Sequence, residues 1–227
     1  MIHPEHQRRA YLQAMGIDVW LPRDAAEPDV PGDVANAAAV TDGLDWGALR
    51  QCVADCTRCE LARSRTQTVF GVGNQDADWM IIGEAPGAEE DRRGEPFVGR
   101  AGQMLNEMLR AIGQSRDTVF IANILKCRPP NNRDPKPQEA SECRGYLERQ
   151  IALVQPKIIL AVGKIAAQNL LGSTEPIGRM RGRAYELNGI PLVVTYHPAF
   201  LLRSPSQKSK SWADLCLASR LSAGGTA

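Results

Sequence analysis

Six cysteines are the residues of this 227-residue chain whose chemistry is most readily defined. Cys56 and Cys59 form a CxxC pair, and Cys127 and Cys143 form a second pair. Four thiolates are a ligand set typical of zinc or of a 4Fe-4S cluster, and the spacing alone does not choose between them. Structural disulfides are rare in the cytosol, where we expect this chain, so the composition favours metal or cluster ligation.

Cys52 supports a second interpretation of the first pair. With Cys56 and Cys59 it gives the C-x3-C-x2-C spacing of radical S-adenosylmethionine enzymes, in which three thiolates leave one iron open for the cofactor. That interpretation gives the second pair no role, and no glycine-rich cofactor segment follows. We therefore interpret Cys52, and likewise Cys216 between two leucines, as packing residues.

Polar and glycine-rich segments follow four short apolar runs. The runs cover residues 79–82, 118–122, 158–162 and 192–196 and are typical of buried parallel strands. Helical spacing over 101–112 and 137–154 separates them. Strand–helix alternation predicts a three-layer α/β/α fold with a central, mostly parallel four-stranded sheet.

The carboxyl ends of parallel strands are where working residues gather in such sheets. The segments at these ends are Gly83-Glu84-Ala85-Pro86-Gly87, Asn123, Gly163-Lys164 and His197-Pro198. A carboxylate, an amide, an amine and an imidazole are thereby predicted to meet at one edge of the sheet.

Charge is unevenly distributed behind a net value of +1, which excludes a histone-like polycation. Residues 1–50 carry a charge of −4 and the remainder +5. Between Arg179 and Lys210 there are six Lys or Arg residues and a single acid, Glu186. The basic part of the chain therefore offers a surface for a polyanion.

Composition divides the chain into three parts. We expect residues 1–23 to be an apolar peptide, 24–43 an acidic flexible linker, and 44–227 the main domain. The peptide either folds back on the domain or docks on a replication or repair protein. The longest apolar runs fall far short of the roughly 20 residues of a membrane span, and the N-terminus shows no signal core, so we expect a cytoplasmic protein without membrane contact.

Several motifs together closely resemble the family-4 uracil-DNA glycosylases, the iron-sulfur branch of their superfamily. They are Arg65 to Gly71 (RTQTVFG), Gly83 to Asp91 (GEAPGAEED), Gly94 to Gly99 (GEPFVG), Asn123 with Lys126 to Arg133 (KCRPPNNR), and His197 to Arg203 (HPAFLLR). These occur in the family's order, together with the cysteine quartet, and the resemblance covers about residues 46–217. It implies a monomeric, monofunctional enzyme that flips uracil out of DNA and hydrolyses its N-glycosidic bond in base excision repair.

The resemblance also implies a cofactor. Cys56, Cys59, Cys127 and Cys143 are expected to hold a structural 4Fe-4S cluster that organises a DNA-contacting loop, with no redox step in catalysis. Cys52 and Cys216 lie outside this set.

The strand-end residues suit the tasks of such an enzyme. Phe97 is expected to stack on the flipped base, and Asn123 to match the N3–H and O4 of uracil. A neutral His197 is expected to donate a hydrogen bond to O2 as charge develops there. Ala85 and Pro86 are expected to line the uracil pocket with backbone groups. Packing roles for Phe97, Asn123 or His197 are the alternatives.

The carboxylate is harder to assign. In the best-known family of the superfamily, a carboxylate that positions water occupies the place filled here by Ala85. Glu84 or Glu90 must then supply it, or the reaction relies on stabilising the leaving group. The alternative interpretation of Glu90 and Asp91 is that they are solvated loop charges.

Basic and apolar residues are predicted to hold uracil-containing DNA. Phosphate contacts are assigned to Arg128, Arg133, Arg203 and Lys208. Leu201 or Leu202 is predicted to enter the duplex where the base leaves, unless both leucines pack in the core.

Two further hypotheses come from other classes. A non-catalytic iron-sulfur module would bind DNA without releasing a base. A relative that traps itself covalently on DNA would need a basic, histidine-bearing insertion, and residues 127–133 contain no histidine.

Overall fold

The computed structural model describes residues 41–225 of the chain. Its strands are β1 (Val72–Gly73), β2 (Trp79–Gly83), β3 (Phe120–Asn123), β4 (Ile158–Val162), β5 (Ala184–Leu187) and β6 (Ile190–Thr195). Its helices are α1 (Trp46–Ala54), α2 (Ala88–Arg93), α3 (Arg100–Ala111), α4 (Pro137–Val154), α5 (Lys164–Leu171), α6 (Ile177–Met180), α7 (Pro198–Arg203) and α8 (Lys208–Ser222). Short 3-10 turns lie at Glu60–Arg63, Pro130–Asn132 and Pro205–Gln207.

The described strands form one six-stranded sheet in the order β1-β3-β2-β4-β6-β5. The four central strands run parallel, and β1 and β5 pair antiparallel at the two edges. The prediction of four strands was therefore wrong in number, although all four predicted runs form the parallel centre. The missed edges lack a long apolar run, since β1 has two residues and β5 is only partly buried.

Alternate residues of the central strands enter two separate cores, as the pleat requires. Met80, Ile82 and Ile159 pack on one face with residues of α1, α4 and α5. Ile81 and Leu160 pack on the other with residues of α3, α7 and α8. The predicted three-layer arrangement is present. Because both faces are covered, β2, β3 and β4 are buried throughout.

The main domain begins earlier than predicted. Thr41 is buried, and its hydroxyl donates to the carbonyl of Gly145 on α4. The domain therefore reaches at least three residues into the predicted linker. The predictions for residues 1–23 and for most of the linker lie outside the described residues. No helix of the described part is long and apolar enough to cross a membrane.

Candidate active site

A cleft of about 720 Å³ lies at the carboxyl end of the parallel strands. All six residues predicted to bind uracil line it, and they come from separate points of the chain: Glu84, Ala85, Pro86, Phe97, Asn123 and His197. The strand order brings them together, since β2, β3, β4 and β6 are neighbours that end at the same edge.

Asn123 is the last residue of β3 and is only 2% exposed. Its Oδ1 is buried without a hydrogen-bond partner. Its register partner on β2 is Gly83, which leaves room for the amide. Any other residue there would place a Cβ only 2.4 Å from Oδ1. A buried carbonyl oxygen without a donor is costly in a folded protein, so this atom fits a ligand that supplies one.

Phe97 borders the same space and is 7% exposed. Its φ of +55° is unusual for a non-glycine residue. Arg116 holds that conformation, since its guanidinium donates to the carbonyls of Pro96 at 2.8 Å and Phe97 at 3.1 Å. The Phe97 ring lies 5.7 Å from the His197 ring, with the planes inclined by 31°. The sequence did not point to Arg116 because it acts through backbone carbonyls 19 and 20 residues earlier in the chain.

Glu90 and Asp91 accept hydrogen bonds from backbone N–H groups of two different loops. Glu90 Oε1 accepts from the backbone N–H groups of Val98 and Gly99 at 2.9 and 3.1 Å. Asp91 is buried and accepts from the Thr66 N–H at 2.9 Å. The interpretation of this pair as solvated charges was therefore wrong. Glu90 lines the cleft, but one of its oxygens is committed to the loop that carries Phe97.

His197 caps α7 and lines the cleft. Its Nδ1 accepts from the Ala199 N–H at 3.1 Å, so in the neutral ring the proton is on Nε2. Burial, together with the positive charge of nearby Arg203, lowers the pKa of His197 to about 4. The imidazole is therefore neutral at physiological pH. Gly163, at a φ of +104°, gives it room, because a Cβ there would lie 3.1 Å from His197 Cβ.

Glu84 follows β2 and is half-buried in the cleft. Burial and, to a smaller extent, the charge of Asp134 raise its pKa to about 7 against the opposing charge of Lys164. The carboxyl group is thus poised between its two forms at neutral pH. Sequence reasoning named Lys164 only as a strand-end residue and did not identify Asp134.

The four cysteines of the two pairs line a single small cavity. Cys127 Sγ accepts from Arg65 at 3.2 Å, and Cys143 Sγ accepts from the Lys126 N–H at 3.3 Å. Arg58 lines the same cavity, and its Nη1 is buried without a partner. Among residues 41–225, no three Cys, His, Asp or Glu side chains are arranged to hold a single metal ion.

Cys52 does not line this cavity and lies 4.0 Å from the Tyr146 hydroxyl. It therefore lies outside the cavity that the four cysteines of the two pairs share.

The residues predicted to contact DNA fall into different environments. Arg133 and Arg203 line the cleft, and Arg203 and Lys208 are exposed. The Arg133 guanidinium is paired with Glu139, and Arg128 donates to Asn132 Oδ1 at 2.7 Å. These two arginines hold the loop that follows Cys127.

Leu201 and Leu202 differ sharply. Leu201 is 0% exposed and packs in the core beside α3 and α8, so its prediction as a DNA-contacting residue was wrong. Leu202 is 38% exposed. One helical step turns Leu202 away from the sheet, which leaves it as the candidate wedge.

Comparison with known proteins is decisive for the family. Residues 70–218 match the family model of the uracil DNA glycosylase superfamily. The chain belongs to this superfamily. It is 42% identical over 170 residues to the type-4 uracil-DNA glycosylase of Archaeoglobus fulgidus, covering 71% of this chain and 85% of that protein.

Two further type-4 uracil-DNA glycosylases have a similar sequence identity to this member of the superfamily. The Pyrobaculum aerophilum protein is 41% identical over 182 residues, covering 77% of this chain and 93% of that protein. The Thermotoga maritima protein is 44% identical over 158 residues, covering 69% of this chain and 82% of that protein. The family predicted from the motifs is confirmed, which argues against the radical S-adenosylmethionine interpretation.

Proposed function

We propose that this chain is a monofunctional uracil-DNA glycosylase that flips uracil out of DNA and hydrolyses its N-glycosidic bond, leaving an abasic site for base excision repair. One observation carries the proposal. The unpartnered Oδ1 of Asn123 lies in a cleft bordered by the Phe97 ring and by a neutral His197.

Asn123 supplies the recognition step. Its Oδ1 accepts from the N3–H of uracil, and its amide nitrogen donates to O4. Cytosine reverses both groups and would leave two buried polar atoms of the amide unpaired, which opposes its binding. Phe97 offers a face on which the extruded base stacks. Backbone groups of Ala85 and Pro86 line the same pocket.

His197 supports departure of the base. As the bond between C1′ and N1 breaks, its electron pair moves onto uracil and negative charge collects at O2. The Nε2–H of a neutral His197 donates to that oxygen, most strongly in the transition state. A water oxygen then bonds to C1′, and its proton balances the uracil anion.

Glu84 is assigned to the sugar side of the reaction. Its negative carboxylate stabilises the positive charge that develops on the sugar as the base leaves, and it orients the attacking water. Glu90 is less suited to this role because it already accepts two backbone N–H groups.

The cysteine quartet fits a structural 4Fe-4S cluster held by Cys56, Cys59, Cys127 and Cys143. Four soft thiols share one cavity, Arg65 already donates to one sulfur, and the unpartnered Arg58 Nη1 is a further donor beside it. When bound, the cluster would cross-link the chain after α1, which carries Cys56 and Cys59, to Cys127 in the loop before α4 and to Cys143 on α4. No electron transfer is assigned to it.

DNA is held at the mouth of the cleft. Arg203 and Lys208 contact phosphates, and Arg128 and Arg133 shape the loop on the opposite rim as well as adding positive charge. Leu202 enters the space from which the base leaves. Residues 1–23 dock on a replication or repair protein, and the enzyme acts as a cytoplasmic monomer.

A uracil-containing oligonucleotide tests this function. Incubation with the protein is expected to leave abasic sites that break only after alkali. Asn123→Ala and His197→Ala are each expected to lower the cleavage rate about 100-fold or more while changing duplex affinity little. Asn169→Ala, an exposed asparagine on α5, is the matched control and keeps the wild-type rate.

Two outcomes would contradict the proposal. Tight binding without abasic sites would indicate the non-catalytic DNA-binding module. Strand breakage before alkali would indicate an amine nucleophile instead of water, with Lys164 in the cleft as its source.

A further inference from the structure

Lys126 is a buried lysine that the proposed mechanism does not use. It is 1% exposed and lies between Asn123 and the first cysteine of the second pair. Its Nζ donates to the backbone carbonyl of Asn123 at 2.9 Å and to Oε1 of Gln150 at 2.6 Å. Both bonds need only two protons on the nitrogen, so they form whether the group is an ammonium or an amine.

The backbone N–H and carbonyl of Lys126 are also hydrogen-bonded. Its N–H donates to Cys143 Sγ at 3.3 Å, and its carbonyl accepts from the Val69 N–H at 2.7 Å. Gln150, the other partner of the amino group, donates to the carbonyl of Phe70 at 2.9 Å. One residue thus connects the end of β3, helix α4 and the cysteine quartet.

The orientation of Asn123 depends on such connections. Its side-chain oxygen has no partner of its own in the described part of the chain, so the amide is placed by its backbone and by packing against Gly83. The next two residues are fixed by their N–H groups, because Ile124 donates to Gly83 and Leu125 donates to Glu84. The carbonyl of Asn123 itself is fixed by Lys126.

We propose that Lys126 is a positioning residue, which acts through Asn123 by holding the end of β3 in the orientation that reads uracil and tying that orientation to the cysteine quartet. The inference rests on the proposed function. A buried polar side chain that anchors the support of a reading group is expected to affect turnover strongly, since small displacements in an active site are costly.

A double-mutant cycle on uracil release tests the inference. Lys126→Met keeps the length of the side chain and removes its donors. In the wild-type background it is expected to lower kcat about 10-fold or more with KM for the oligonucleotide unchanged. In an Asn123→Ala background it is expected to change kcat less than twofold, because the group it positions is gone.

Each alternative result is informative. A wild-type kcat in Lys126→Met, or losses that multiply in the double variant, would overturn the inference, because Lys126 would then act elsewhere or not at all. Lys157→Met is the matched control and keeps the wild-type rate, since Lys157 is exposed just before β4 at the opposite end of the sheet.

Visible absorbance and thermal unfolding are measured for every variant. Lys126→Met is expected to keep the wild-type absorbance because all four thiols remain. If it does not fold, Gln150→Met takes its place in the same cycle, since it removes the second anchor of the amino group, and the same two results decide. A wild-type protein that releases no uracil would instead end the proposed function, and this inference with it.

Discussion

Burial sets the protonation of the two titratable side chains at the centre of the cleft. It lowers the pKa of His197 to about 4 and raises the pKa of Glu84 to about 7. The same cause has opposite effects because burial disfavours the charged form of each group. Between these two values the imidazole is neutral and the carboxyl group is largely protonated, so the ionised carboxylate becomes available only as the pH approaches 7 and above.

The rate of uracil release is therefore predicted to rise with pH through about 7 and then level off, if the Glu84 carboxylate stabilises the sugar cation. Asp134→Asn is expected to move the midpoint to lower pH, since it removes a negative charge that raises the Glu84 pKa. Lys164→Met is expected to move it to higher pH. Single-turnover rates from pH 5 to 9 measure both shifts.

Glu84→Gln is the control for that profile and is expected to be slow and to lack the rise. A profile that keeps its midpoint in all three variants would assign the titration to another group.

Residue-scale chemistry was largely predictable, but the supporting contacts were not. Three of the cleft residues stand at the ends of apolar runs: Asn123, His197 and Glu84. Because the carboxyl ends of parallel strands meet at one edge of the sheet, this placement alone predicts that they lie together. Arg116 and Lys126 act through backbone carbonyls that any residue possesses, and no sequence pattern identifies such a partner.

At the scale of elements, the parallel strands were predictable because both faces of the sheet are covered. Each strand is then a continuous apolar run. The hairpin of β5 and β6 carried a signal that was overlooked, the Asn188-Gly189 turn, in which both residues have positive φ. The two-residue β1 carries no comparable signal.

Helix α7 offers a matched test of which leucine meets DNA. Leu201→Ala is expected to lower the free energy of unfolding by about 2–5 kcal/mol, because it leaves a cavity in the core. Leu202→Ala is expected to leave stability unchanged and to slow uracil release from duplex more than from single strands. Denaturant unfolding and rates on both substrates measure the difference. Equal rates for Leu202→Ala and wild type on duplex would remove Leu202 as the wedge.

The cysteines provide a second test at this scale. Cys143→Ala is expected to abolish the visible absorbance of anaerobically purified protein and to lower thermal stability, since Cys143 lines the shared cavity. Cys52→Ala is expected to retain the absorbance because Cys52 lies outside it. Absorbance lost in both variants, or in neither, would refute the assigned ligand set.

For the whole molecule, the small net charge conceals a basic domain. The charge of +5 on residues 51–227 predicts that DNA binding weakens steeply with salt. Arg203→Gln and Lys208→Gln are each expected to reduce the slope of log affinity against log salt by about 1. Lys157→Gln, at the far end of the sheet, is the control. Affinities measured by fluorescence anisotropy at several salt concentrations give the slopes, and an unchanged slope for both variants would place the phosphates elsewhere.

The most direct test of the proposed function is to identify the base that the protein releases from DNA. Matched oligonucleotides that contain one uracil, one cytosine or one thymine at the same position are incubated with the full chain, and free bases are measured by mass spectrometry. Free uracil is expected in an amount equal to that of the abasic strand, with no free cytosine or thymine. DNA that is bound but releases no uracil, or equal release of cytosine, would contradict the role given to the Asn123 amide and to the cleft around it.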